Sequence, residues 1–290
     1  MVNTILMILL IYGVFLIDGI HYGKTVIRSL PDSTVVLIIK TNNDEVGYCG
    51  GNLLSDNLVI TAAHCIYGIN NFENINIVKG FDSLNFNINK QEGLENKVLW
   101  IEICHLYEKN FYSAVYDVAL VGIEKINNFC DNFTIAPLPF NLSNGENFFN
   151  QHKNDCFITG HGKTEMNVLS GRSKGIIFNR RLYYKNVSNS LDYISYYDNL
   201  SLSKEKFNEG DSGNGLYCLT DNKFYLLGIA SGCYYSINGD TIDINTFAVL
   251  TSPTIKSFIL NKIKNKKNLL EIEGKCQNNS INKLYHFLSN

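Results

Sequence analysis

From about residue 20 onward the chain is cut into short β-prone runs by clusters of Gly, Asn, Asp and Ser, which restricts its fold more than any other feature. Examples are residues 34–39, 58–61, 98–103, 117–123, 156–159, 175–178, 224–230 and 246–251. Runs this short, rich in Val, Ile, Phe and Tyr and this closely spaced, imply an all-β barrel or sandwich. One helix is expected, near the C-terminus. Ser252 supplies an N-cap and Pro253 occupies the first helical position, with Ile255, Phe258, Ile259 and Ile263 following at helical spacing. The asparagine-rich stretches 70–76 and 141–154 read as surface loops. No internal repeat is present, and beyond about Lys266 the chain becomes polar and basic.

Composition narrows the class. A chain of 290 residues suits one large domain or two fused halves. With 45% hydrophobic and 18% charged residues it has the apolar content for a sizeable core, which excludes an intrinsically disordered chain. The net charge of -2 offers no basic excess to neutralise phosphates, so no nucleic-acid partner is expected. The four prolines (31, 137, 139 and 253) form no proline-rich linker.

Residues 5–17 read ILMILLIYGVFLI, an uncharged run too short to cross a bilayer, which takes about 20 apolar residues. It suits the apolar region of a secretory signal covering residues 1–19, although no Lys or Arg precedes it. Five glycosylation sequons, at Asn132, Asn141, Asn186, Asn199 and Asn278, point the same way, weakly in so Asn-rich a chain. A secreted, extracellular, soluble glycoprotein without a membrane span is expected. Eight cysteines fit an oxidising compartment and disulfide bonding. No CxxC pair occurs, and histidines stand beside cysteines only at His64-Cys65 and Cys104-His105, so no structural metal site is expected.

Three segments carry chemistry. Residues 61–65 read TAAHC and place His64 just after a strand-like run; DVALV at 117–121 opens a hydrophobic strand with Asp117; GDSG at 210–213 sets Ser212 in a glycine-rich turn. A serine alcohol is a poor nucleophile near neutral pH and needs a base within hydrogen-bond reach. That base needs a carboxylate to fix its tautomer and stabilise the imidazolium. Glycines beside the serine let backbone N–H groups face a developing oxyanion. Each piece alone is commonplace: a lone His, a strand-edge Asp or a GDSG turn has an ordinary structural reading. The ordered set is far more specific.

With CGG at 49–51, then TAAHC, DVALV, CFITGHG at 156–162 and GDSG running on to Cys218, the sequence resembles the chymotrypsin-like (trypsin-fold, S1) serine proteases from about residue 20 to residue 263. The resemblance implies two packed six-stranded antiparallel β-barrels with the active site in the cleft between them, followed by the C-terminal helix. It implies a signal at 1–19, a protease domain at 20–265 and a tail at 266–290. His64 would be the general base, Asp117 would orient it and Ser212 would attack the scissile carbonyl. The N–H groups of Gly210 and Ser212 would form the oxyanion hole, and Asp211 would bind the α-amino group of the mature N-terminus. Ser231 would line the substrate cleft. Cys49 would pair with Cys65 and Cys156 with Cys218, leaving Cys104, Cys130, Cys233 and Cys276 with three possible pairings; Cys130 with Cys276 would tie down the tail. Protein or peptide substrates, a monomer, a possible protein inhibitor and no cofactor or metal complete the expectation.

The departures matter as much. Asn208 stands where the family usually has a cysteine, and His161 where TGWG has its aromatic residue. The family's GDSGGP becomes GDSGNG, so Asn214 and Gly215 replace a glycine and a proline, which reads as a looser turn. The resemblance implies that Lys206, six residues before Ser212, would fall at the base of the specificity pocket, with Asn245 on the opposite wall. Lys206 either attracts an acidic side chain or turns to solvent, the usual place of lysine. No Lys or Arg precedes Lys24, so a tryptic cut cannot free Ile20; signal removal after Gly19 would expose it, or Asp211 finds another cation. The alternative function is a weak or inactive homologue acting as a binding protein, although such proteins generally lose a triad residue and none is lost here.

Overall fold

The computed structural model describes residues 24–25, 33–40, 46–79, 96–107, 116–127, 135–141, 156–160, 174–177, 193–196, 210–221, 223–237 and 240–264. Six strands form the first half: β2 (Thr34–Lys40), β3 (Val46–Ser55), β4 (Leu58–Thr61), β5 (Ile75–Lys79), β6 (Asn96–Ile103) and β7 (Ala119–Ile123). They close a barrel in the order β2-β3-β4-β7-β6-β5, with every pair antiparallel. Side chains alternate across a strand, and here both faces are apolar. Along β2, Val35, Leu37 and Ile39 fill the interior, while Val36 and Ile38 pack outside with Val78. On β4 and β7, Val59, Ala119, Val121 and Ile123 point inward. Leu58, Ile60 and Leu120 face the other way, into a second core.

That second core joins the barrel to the other half. Here β1 (Lys24–Thr25), β8 (Cys156–Gly160), β9 (Lys174–Ile177), β10 (Tyr193–Tyr196), β11 (Gly215–Thr220), β12 (Lys223–Ile237) and β13 (Asp240–Val249) make a seven-stranded antiparallel sheet, ordered β1-β9-β8-β11-β12-β13-β10. Phe157, Tyr217, Leu226, Ile229 and Ala248 from this sheet, with Leu250 just past β13, pack onto the barrel's outer face. Each fully buried Leu or Ile contributes about 1.5–3 kcal/mol relative to exposure. The two-barrel expectation therefore holds for the first half, whereas the second half's described strands form an open sheet. Its end strands, β1 and β10, are two and four residues long and do not pair with each other among the described residues.

The expected helix is present. A one-turn helix, α1 (Ala63–Ile66), follows β4, and the C-terminal helix, α2 (Pro253–Lys264), starts at its proline. Ile255, Phe258 and Ile259 bury one face of α2 in the shared core. On its flank the Lys256 ammonium donates to the Phe140 carbonyl at 2.7 Å, and Lys262 pairs with Glu102. Among the described residues no helix is long and apolar enough to cross a membrane.

One loop assignment is corrected: residues 70–76 contain a 3-10 turn at Phe72–Asn74 and then enter β5, where Ile75 and Ile77 are core residues. Their alternation with asparagines looks like a polar loop in sequence, but it is the inward–outward pattern of a barrel strand. Both inferred disulfides form, Cys49 with Cys65 and Cys156 with Cys218. Each contributes about 3–4 kcal/mol by restricting the unfolded chain. Cys104 is a buried free thiol, so it takes part in none of the remaining pairings. Cys130, Cys276 and the side chain of Cys233 lie outside the described residues, as do the segment before Lys24, the tail after Lys264 and all the sequons except the backbone of Asn141.

Candidate functional site

Sheet register brings the first two site residues together. Strand β4 runs antiparallel to β7 with Thr61 opposite Ala119. The chain leaves β4 through Ala62 into α1, while the segment entering β7 carries Asp117. A short helix has unpaired N–H groups at its start. No side chain of the Ala62 cap serves α1. Instead Asp117 Oδ1 accepts from the His64 backbone N–H at 2.8 Å. Its Oδ2 lies 2.7 Å from His64 Nδ1 and also accepts from the Ser231 hydroxyl. A sharp bend aims this carboxylate: Tyr116 has φ 63°, and the Val118 N–H returns to the Tyr116 carbonyl at 2.7 Å.

The electrostatics follow from burial. The Asp117 side chain is 2% exposed and that of His64 34%. An ionised carboxylate only accepts, so Nδ1 holds the imidazole proton; Nε2 lies 3.8 Å from the disulfide sulfur of Cys65, which has no proton to donate, and keeps its lone pair. Charge-assisted bonds of this kind are stronger than neutral ones. The same carboxylate acts on Tyr107. Its phenol is pushed up to about 12, first by burial, then by the Asp117 charge and by Tyr67, whose ring meets it edge-on at 5.5 Å. Burial also raises the Cys104 thiol, against a backbone hydrogen bond at Leu106 that lowers it.

The serine comes from the other half, on a turn entering β11. The Asn214 N–H reaches the Asp211 carbonyl at 3.2 Å, closing a β-turn whose central residues are Ser212 and Gly213. Gly213 has φ +85°, and a Cβ there would sit 2.2 Å from the Gly50 carbonyl oxygen. Only glycine satisfies both conditions. One strand of the barrel, β3, holds the turn: the Gly50 N–H donates to the Ser212 carbonyl at 2.6 Å, and Asn52 Nδ2 to the Gly213 carbonyl at 3.1 Å. Behind them the Thr61 hydroxyl donates to the Gly50 carbonyl at 2.7 Å, and the Tyr217 hydroxyl to Asn52 Oδ1 at 2.6 Å.

His64, Asp117, Ser212 and Ser231 are thus connected. Ser231 is the bridge, its hydroxyl on Asp117 and its carbonyl accepting from Ser212 Oγ at 3.5 Å. No direct hydrogen bond joins Ser212 to His64 among the described residues. Catalytic hydrogen bonds in general are often long without substrate. The N–H groups of Gly210 and Ser212 have no acceptor among the described residues. Asp211 is fully buried beneath the turn, and its expected partner Ile20 lies outside the described residues. Lys206, Asn208, His161 and the side chain of Asn245 lie outside them too.

The expectation of a looser turn at Asn214 is overturned. Its side chain is fully buried, and its Nδ2 donates to the Asp211 carbonyl at 2.9 Å, so the replacement adds a brace. Sequence reasoning also missed Asn52, Thr61 and Tyr217, although Asn52 directly follows the CGG that carried part of the resemblance. Cys49, His64 and Cys65 place potential metal ligands together, but the two sulfurs are bonded to each other and offer no thiolate.

Comparison with known proteins agrees with this architecture. A family model described as Trypsin matches residues 27–251. Chymotrypsin-like elastase family member 1 of Felis catus is 28% identical over 193 residues, covering 63% of this chain and 67% of its own. The Homo sapiens protein of the same name is 25% identical over 206 residues, 69% of this chain and 75% of its own. That of Bos taurus is 24% identical over 216 residues, with 72% and 77% covered. A model spanning most of the chain establishes the family: the protein belongs to the trypsin family of chymotrypsin-like serine proteases.

Proposed function

We propose that the chain is a secreted endopeptidase acting on protein or peptide substrates through an acyl-enzyme on Ser212. The observation that carries the reading is His64 held at two points by the buried Asp117, with Ser212 Oγ 3.5 Å from the carbonyl of Ser231, whose hydroxyl donates to the same carboxylate. Ser212 Oγ attacks the scissile carbonyl while His64 Nε2 takes its proton. The N–H groups of Gly210 and Ser212 receive the oxyanion. Collapse expels the amine with the proton from His64, and water repeats the cycle on the ester.

The proposal extends to the rest of the chain. The seven-stranded sheet belongs to a second barrel, with the site in the cleft between the halves. Removal of residues 1–19 frees Ile20, whose ammonium pairs with Asp211, so secretion itself activates the enzyme and a protein inhibitor restrains it. An N-terminus other than Ile20 on active protein would overturn that scheme. Lys206 favours an acidic residue before the cut, and a peptide library preferring Arg or Lys there would exclude it.

A fluorophosphonate probe tests the central claim. The wild type is expected to be labelled on Ser212, and Ser212→Ala to lose labelling and several powers of ten in turnover. Equal turnover in the two proteins sinks the assignment.

A further inference from the structure

The turn that carries Ser212 has its three successive carbonyls held from the buried side. Asp211 O accepts from the N–H and Nδ2 of Asn214, Ser212 O from the Gly50 N–H, and Gly213 O from Asn52 Nδ2. The first of these matters for chemistry. In a trans peptide the carbonyl oxygen and the following N–H lie in one plane and point in opposite directions. Holding the Asp211 carbonyl inward therefore aims the Ser212 N–H outward. That N–H has no acceptor among the described residues and is the oxyanion donor of the reading above, on which this inference rests.

The carboxamide of Asn214 has no freedom to do otherwise. It is fully buried, and its orientation is set by chemistry, because reversing it would bring Oδ1 against the Asp211 carbonyl oxygen. In the orientation it adopts, Oδ1 has no hydrogen-bond partner among the described residues. Below it lies Gly50, where a Cβ would come within 2.2–2.4 Å of the Asn214 carboxamide atoms. The same Gly50 donates to the Ser212 carbonyl. Glycine at position 50 and asparagine at position 214 are thus a complementary pair, joined across the two halves at the nucleophile.

We propose that the Asn214 side chain is a positioning residue for the oxyanion donor, fixing the plane of the 211–212 peptide through its bond to the Asp211 carbonyl. A peptide held in place costs no reorganisation when charge develops, which is where such donors gain their effect.

The experiment compares wild type, Asn214→Gly, Gly50→Ala and the double variant. Each is checked for folding by circular dichroism and assayed with a chromogenic peptide amide that the wild type cleaves. Asn214→Gly should lower kcat about 10- to 100-fold, with KM within about twofold, because the loss lies in the transition state. A peptide aldehyde, whose adduct oxygen occupies the oxyanion position, should bind more weakly in proportion; a merely structural role would not move it. Gly50→Ala should show the same kcat loss by displacing the carboxamide. In the Asn214→Gly background it should add little, since the space is already free. Wild-type kcat in either single variant overturns the inference and leaves the protease reading intact. A wild type that neither cleaves peptides nor reacts with the fluorophosphonate overturns both.

Discussion

In the closed barrel the site is built from side chains, and in the seven-stranded sheet it is built from a backbone turn. His64 and Asp117 leave adjacent paired strands, so the register of β4 on β7 already brings them together, and two hydrogen bonds finish the placement. Most of their support is internal to one half. Ser212 stands on a turn whose carbonyls at 212 and 213 are held by Gly50 and Asn52, both on the barrel strand β3. Ser231, on β12, reaches back to Asp117. His64, the proposed base, is therefore positioned mainly by its own half, whereas Ser212, the proposed nucleophile, depends on how the halves are joined. Damage to the barrel pair should affect chemistry with little effect on folding, and damage to the polar contacts between halves should affect both.

The largest effect tests the self-contained half. Asp117→Asn keeps the shape at the start of α1 and leaves an oxygen to accept from the His64 N–H. It removes the charge that holds the Nδ1 proton and stabilises the imidazolium. Turnover should fall about 10,000-fold, as expected when the imidazole is held in the wrong tautomer. Steady-state kcat with a peptide amide measures this, beside a thermal melt. A loss below tenfold would mean that His64 keeps its working tautomer without the carboxylate.

Most of the fold was legible because the barrel strands announce themselves. The runs at 34–39, 58–61 and 98–103 reappear within β2, β4 and β6, and the Ser252-Pro253 helix start was correct. Strand β3 was missed. Its sequence VGYCGGNLLS contains three glycines and an asparagine, which are turn signals in a chain but serve here for close approach to Asn214 and for Asn52's bond to the nucleophile turn. His64, Asp117 and Ser212 were picked out as a candidate set because each is a reactive residue type in a distinctive local motif. The residues that hold them were not. Asn214 looked like a loosened turn, since nothing in GDSGNG shows that its carboxamide will meet a glycine 164 positions earlier on another strand. Local sequence reports what a residue can donate, and only packing decides to whom.

A smaller effect tests the join between the halves. The Tyr217 hydroxyl, buried on β11, donates to Asn52 Oδ1 at 2.6 Å and lies 3.2 Å from Ser33 Oγ. Tyr217→Phe keeps the stacking on Phe157, at 5.4 Å between ring centres, and leaves the Asn52 oxygen without this donor. The expected loss is about 1–3 kcal/mol of stability, the usual cost of orphaning a buried polar group. Urea unfolding should show a lower midpoint with an unchanged slope, because the core is otherwise intact. Activity should fall as well, since Asn52 positions the Gly213 carbonyl. Unchanged stability would show that the network across the halves contributes nothing net, and would remove the contrast drawn between them.

The smallest effect returns to the barrel and is read through pH. Tyr107 has its phenol raised from an ordinary 10.0 to about 12, mainly by burial and next by the Asp117 charge. Between those values the unfolded chain has given up a proton that the folded chain keeps. Stability therefore falls as pH rises through this window, and the neutral phenol's full contribution is present below pH 10. Tyr107→Phe removes the ionisable group while leaving a ring against Tyr67. The variant should match the wild type near pH 9 and lose less stability on going to pH 11. The difference between the two proteins isolates Tyr107 from the other tyrosines, which titrate in both. Partial exposure of the side chain keeps the effect modest, because solvent screens part of it. Parallel declines in the two urea midpoints would show that burial beside Asp117 does not hold the Tyr107 proton in the folded state.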